Sequence, residues 1–395
     1  MASLAEYLRW RGDIQFFEHP FNDADNIILS TFAYIDLTGI VPTEEQGGSM
    51  TLRDACRELL AIPSDDFAKR MCFLGKIDAE FILLLSKSAR FGNIVLSAYL
   101  DVVDAAKSLQ FAAYQATLDD GSVYVAYRGT DSTIVGWKED FMLSFTITES
   151  QHEAARYLQR VLNRTSDTDG GPMVRVGGHS KGGNLAQYAG LRCPANMRNR
   201  LACVYSNDGP GIAPEVMPEA PGGELGGTLR RIVPTYSVVG MLFARPEDER
   251  SIIASNVHGI TQHDPTTWLL QPVGIQEERK LHHDARILND AIATWMDQLS
   301  LEERAQVTSQ IFEALQAGGA EHLTDVIASS KDLTVVIRAL NDTDELTHEV
   351  VKSLLQCLKD SKTVATRKAA RKVLNRLWPQ QDDEDDEDEA AAEAL

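Results

Sequence analysis

A chain of 395 residues, 44% apolar and 24% charged, has an ordinary globular composition and can bury a large core. Its formal charge of −20, with nine of the acids in Asp382–Glu389 and at Glu393, repels polyanions and argues against a nucleic-acid partner. The start, MASLAEYLRWRGD, shows no basic-then-apolar leader, and no window reaches the roughly 18 apolar residues that span a bilayer. Five scattered cysteines (Cys56, Cys72, Cys193, Cys203, Cys357) form no CxxC pair, which suits a reducing compartment and argues against structural zinc. The expectation is a cytoplasmic protein without a membrane span.

Along the chain, FAAYQATLDDGSVYVAYRG holds two strand-like runs around an Asp-Asp-Gly-Ser turn and predicts a hairpin ending at Arg128-Gly129. PMVRVGG and LACVYSND are short buried-strand runs, with a helical pattern from Asn184 to Leu191 between them. LRRIVPTYSVVG and SIIASNVHGI supply further candidate strands. Strands alternating with helices predict an α/β fold with a mostly parallel sheet and helices on both faces. From Ser300 the pattern turns helical: SLEERAQVTSQIFEALQAG opens with a serine cap and a glutamate three residues later. The expected division is a sheet domain over 1–299, a C-terminal helical appendage over 300–379 and a disordered acidic tail over 380–395.

Gly178-His179-Ser180-Lys181-Gly182 fits G-x-S-x-G, the turn that lifts a nucleophilic serine between a strand and a helix. The strand-like MVRV before it and the helical NLAQYAG after it supply the context that the bare pentapeptide lacks. In such an elbow the Lys181 amide, at the start of a helix, points toward a developing oxyanion. The order Ser-Lys-Gly argues against a phosphate-binding P-loop, which needs Gly-Lys followed by Ser or Thr.

The strand ending in Arg128-Gly129-Thr130, the Trp137-x-x-Asp140 element after it, and the downstream GHSKGG together resemble the class 3 (fungal-type) lipases of the α/β-hydrolase superfamily. NDADNIILSTFAYIDL, NDGPGI, SVVGMLF and QHDPTTW look closer still to a bacterial family of lipase-like hydrolases of unassigned function. The resemblance to class 3 lipases implies an oxyanion-hole role for Thr130, and Arg128, Trp137 and Asp140 read as supports of that loop.

An α/β-hydrolase triad runs in the order Ser, acid, His. His322 and His348 fall in the helical appendage, and His282 and His283 sit adjacent on a polar helix, too divergent to chelate a metal together. His258 and His263 remain, in a loop after a candidate last strand; the resemblance favours His263 through its QHD element. His179 reads as a packing or hydrogen-bonding residue beside the elbow. In class 3 lipases the acid precedes a segment matching RRIVPTYSVVGML, where this chain carries Ser237. Asp208, after the strand that follows the nucleophile helix, is the substitute acid; its alternative is an Asx-turn residue before Gly209-Pro210. Asp264 is too close to His263 in sequence to orient it. Lys181 stands where lipases carry leucine, and either favours an anionic substrate or pairs with a carboxylate.

The expected activity is hydrolysis of a small-molecule or lipid ester by Ser180, His263 and Asp208, with Thr130 and Lys181 forming the oxyanion hole and with no cofactor or metal. The competing expectation is a decayed hydrolase fold that serves as an interaction protein, which Ser237 favours and the intact elbow opposes.

Overall fold

The computed structural model describes residues 3–71, 77–104, 109–130, 138, 141–166, 170–244, 249–317, 319 and 330–359. Trp137, Asp140, His322 and the acidic tail lie outside the described residues. The chain forms two compact units, the first ending at Leu281 and the second beginning at His282 and also taking in Lys138.

The first unit is built on one sheet. Its strands are β1 (Ser49–Thr51), β2 (Val95–Asp104), β3 (Leu109–Thr117), β4 (Val123–Tyr127), β5 (Val174–His179), β6 (Leu201–Asn207), β7 (Leu229–Pro234) and β8 (Arg250–Ile253). A small hairpin, β9 (Leu270–Gln271) with β10 (Gly274–Ile275), stands apart, and β11 (Glu277–Glu278) returns to the main sheet. The sheet order is β1-β2-β3-β4-β5-β6-β7-β8-β11. Its centre, β4 to β8, is parallel, and antiparallel strands flank it on both sides.

Local chemistry accounts for these elements. The predicted hairpin is β3–β4, with Thr117 opposite Val123; Gly121 takes φ 81° in the turn, and Asp120 accepts from the Ser122 amide at 2.9 Å. In β4, Val123, Val125 and Tyr127 pack into one core while Tyr124 and Ala126 pack into another. That period of two marks a sheet buried on both faces. One face is covered by the helices Glu149–Arg164 and Lys181–Leu191, the other by Asp23–Phe32 and the N-terminal helices. A parallel centre with helices on both faces, and a strand–serine–helix turn at its middle, is the α/β-hydrolase fold.

The helix Asp23–Phe32 is anchored by charge. Asp25 accepts from Arg90 at 2.8 and 2.6 Å and from the Tyr7 hydroxyl at 2.9 Å, with both charged side chains fully buried. Removing one partner leaves the other charge desolvated and unpaired, which costs about 3–5 kcal/mol. Asp25→Ala is therefore expected to lower the unfolding free energy by about that amount in urea titration. A change below about 1 kcal/mol would contradict the buried pairing.

In the second unit, helices His283–Gln298, Leu301–Gln316, Ser330–Asn341 and Glu345–Lys359 are described. Ser300 caps Leu301–Gln316, and Glu303 returns the capping-box bond. Asp344 accepts from Gln306 at 2.6 Å and Gln310 at 2.7 Å, joining two of these helices. Among the described residues no helix is long and apolar enough to cross a membrane.

Candidate active site

The chain segments at the site leave the same end of the parallel strands. Tyr127 of β4 is opposite Gly178 of β5, and His179 of β5 is opposite Asn207 of β6. The residues that follow them, Arg128–Thr130, Ser180–Lys181 and Asp208, consequently emerge side by side at the carboxyl ends of the strands, where ligands of open α/β sheets bind.

At the elbow, Ser180 takes φ 56° and ψ −125°, a conformation that costs a non-glycine residue on the order of 1–3 kcal/mol. The turn is held by its amide, which donates to the Asn207 carbonyl at 2.9 Å. Two glycines make room for it. A Cβ on Gly182 would fall 2.3 Å from the Tyr127 carbonyl oxygen, and one on Gly178 would fall 2.6 Å from the same atom. The start of the helix Lys181–Leu191 therefore rests directly on the end of β4.

His263 ends the 3₁₀ turn Gly259–His263 in the loop after β8. Its Nδ1 lies 2.7 Å from Asp208 Oδ2, and its Nε2 lies 2.9 Å from Ser180 Oγ. A carboxylate only accepts, so Nδ1 carries the proton and Nε2 is left to accept from the serine hydroxyl. Asp208 is buried, with a positive φ of 46°; its other oxygen accepts from Ser237 Oγ at 2.5 Å and from the Gly240 amide at 3.2 Å. Ser237, the departure from the lipase pattern, thus hydrogen-bonds the carboxylate that contacts His263. His258 is exposed and immediately precedes the 3₁₀ turn that ends at His263. Asp264 caps the next turn by accepting from the Thr266 amide at 2.8 Å; burial raises its pKa against the lowering effect of those Thr266 bonds.

Thr130 is buried at the start of the loop after β4. Arg128, two residues earlier, makes a two-pronged pair with Asp101 at 2.8 and 2.9 Å, which fixes the strand end from below. The Lys181 side chain is buried, and its ammonium donates to the Gln110 carbonyl at 3.0 Å. Neither sequence expectation for that ammonium named this backbone partner.

Several contributors lack any local signal in the sequence. Gln262 accepts from Thr235 Oγ1 and from the Tyr236 amide, both at 2.8 Å, and donates to the Val257 carbonyl at 3.0 Å. Trp268 donates to the Gln262 carbonyl at 2.7 Å. These bonds pin the His263 loop to the end of β7. Tyr34, 145 positions before His179, places its hydroxyl 2.8 Å from His179 Nδ1. Among the described residues no group of three or more His, Cys, Asp or Glu could hold a metal ion.

The family model for Mbeg1-like proteins matches residues 85–313, more than half of the chain. The protein belongs to the Mbeg1-like family. The matched span of this Mbeg1-like chain includes Thr130, Ser180, Lys181, Asp208 and His263 and begins after Tyr34. No curated protein matches the chain. Solved structures similar to it include a fungal lipase–inhibitor complex, 16% identical with a TM-score of 0.28, over 42% of this chain and 66% of that one. The Mbeg1-like chain thus spans just under two thirds of that lipase. The crystal structure of M37 lipase is also similar, 17% identical with a TM-score of 0.33, over 54% of this chain and 68% of that one.

Proposed function

We propose that this Mbeg1-like protein is a serine hydrolase that cleaves a carboxylic ester through an acyl-enzyme. The observation that carries the reading is the continuous bond chain Asp208–His263–Ser180, at 2.7 and 2.9 Å, ending on a serine at a strained elbow. In this reading Ser180 Oγ attacks the ester carbonyl carbon while His263 Nε2 takes the hydroxyl proton. The amides of Lys181 and Thr130 receive the negative charge that builds on the carbonyl oxygen. Collapse breaks the bond to the alcohol oxygen, which leaves with the proton from His263. Water, deprotonated by the same imidazole, then releases the acid and restores the serine. Asp208 keeps the proton of His263 on Nδ1 and stabilises the imidazolium between the two transfers. Ser237, which alone argued for a decayed site, instead supports the acid by donating to it.

A lipid or other medium-sized ester is the substrate class we propose, from the resemblance to lipases. The test uses the full-length protein and a fluorophosphonate probe, which phosphonylates an activated serine. Labelling that peptide mapping assigns to Ser180 is the expected result. A folded protein that stays unlabelled would remove the hydrolase reading.

A further inference from the structure

We propose that Tyr34 and His179 form a positioning pair that ties the backbone of the His263 loop to the elbow, so that the base keeps its place while its ring gains and loses a proton. The proposal rests on reading Ser180 as nucleophile and His263 as base.

The base hangs in a long connection: β8 ends at Ile253 and β9 begins at Leu270. Loops of this kind move unless they are held. The ring of His263 is held by Asp208 at Nδ1, but its Nε2 is alternately bare and protonated during the reaction. A tether on the backbone escapes that cycle. His179 supplies one: its Nε2 lies 2.7 Å from the carbonyl oxygen of His263 itself. A carbonyl can only accept, so Nε2 of His179 carries the proton and Nδ1 is the acceptor. The partner of Nδ1 is the Tyr34 hydroxyl, at 2.8 Å, and it fixes this tautomer by donating.

His179 is fully buried, and its ring centroid is 4.6 Å from that of His263. Burial first, then charge on His263, hold its imidazole well below the usual histidine range, against the raising effect of its bond to the His263 carbonyl. His179 therefore stays neutral when its neighbour becomes an imidazolium, and the tether survives the step. Tyr34 also reaches the third segment of the site. A Cβ on Gly129 would fall 2.0 Å from the Tyr34 hydroxyl oxygen, so that hydroxyl packs against the backbone leading to Thr130. One buried pair thus touches the oxyanion loop, the elbow and the base loop. A residue of this kind contacts no reacting atom, and its loss is felt as misplacement, where a shift of about 1 Å costs about 10²-fold in rate.

The test compares full-length His179→Phe, His179→Gln and Tyr34→Phe with the unaltered protein, using p-nitrophenyl butyrate. Phenylalanine keeps the ring and loses both nitrogens, whereas glutamine keeps a donor near the Nε2 position. The expected result is a kcat about 10²-fold lower in His179→Phe with KM within about twofold, at least about tenfold of that loss recovered in His179→Gln, and a loss of about tenfold in Tyr34→Phe. Equal losses in the phenylalanine and glutamine variants, or a kcat within about threefold of normal in His179→Phe, would overturn the proposal. If His179→Phe does not fold, a fully active Tyr34→Phe overturns it. The long-range ¹⁵N spectrum of His263 decides the matter independently of turnover. A single Nδ1–H tautomer that becomes mixed in His179→Phe supports the tether, and an unchanged pattern defeats it. An unaltered protein that neither turns over nor takes up fluorophosphonate refutes the hydrolase reading, while the ¹⁵N comparison still judges the tether.

Discussion

Ser180→Ala is expected to lower turnover of p-nitrophenyl butyrate by about 10⁵- to 10⁶-fold and to abolish fluorophosphonate labelling, with the unfolding midpoint close to normal or slightly raised. The size of the loss follows from the site's construction. Without Oγ, the imidazole 2.9 Å away has no hydroxyl to deprotonate, and no acyl-enzyme forms. In the proposed mechanism the residual rate comes from the oxyanion donors and from substrate binding. The stability expectation follows from the backbone. Alanine must adopt the same φ of 56° and inherits its strain, but sheds a buried hydroxyl. A variant that keeps more than about one per cent of the activity would show that another group performs the attack.

Asp208→Asn is expected to reduce kcat by about 10⁴-fold while leaving the protein folded. Ser237 and the Gly240 amide both donate to Asp208 Oδ1, at 2.5 and 3.2 Å, so the asparagine oxygen takes that side. Its amino group then faces His263 Nδ1, which must become an acceptor. The proton moves to Nε2, the nitrogen 2.9 Å from Ser180 Oγ, and the base can no longer accept from the serine. The expected loss is thus a tautomer effect. Steady-state kinetics with circular dichroism check it, and a near-normal rate would send the search for the acid elsewhere.

The fold was legible in the sequence wherever its cause was local. The hairpin turn at Asp119–Ser122, the alternation in β4 and the strand–serine–helix order around Ser180 each depend on residues within about ten positions, a range that periodicity and turn chemistry reach. The cap at Ser300 is of the same kind. The parallel pairing of β4, β5 and β6 follows from the helices Glu149–Arg164 and Lys181–Leu191 that separate them, whereas among the described residues β6, β7 and β8 are joined through short 3₁₀ turns. The antiparallel strands at the two edges come instead from pairing between distant segments.

The site divides along the same line. Sequence by itself determined the elbow: a serine between glycines, after a strand and before a helix, has few other backbone solutions, because a side chain at 178 or 182 would collide with β4. It also narrowed the candidate base to His258 or His263 and offered Asp208 as the candidate acid. Only the tertiary structure decided which groups meet. Asp208 and His263 are 55 positions apart, and His263 and Ser180 are 83 apart. The use of Ser237 as a donor to Asp208, the clamp at Gln262 and the reach of Tyr34 to the His179 ring and the Gly129 backbone likewise depend on which strand ends lie side by side. Hydrogen bonds act over about 3 Å whatever the length of chain between the partners, so no spacing rule in the sequence records them.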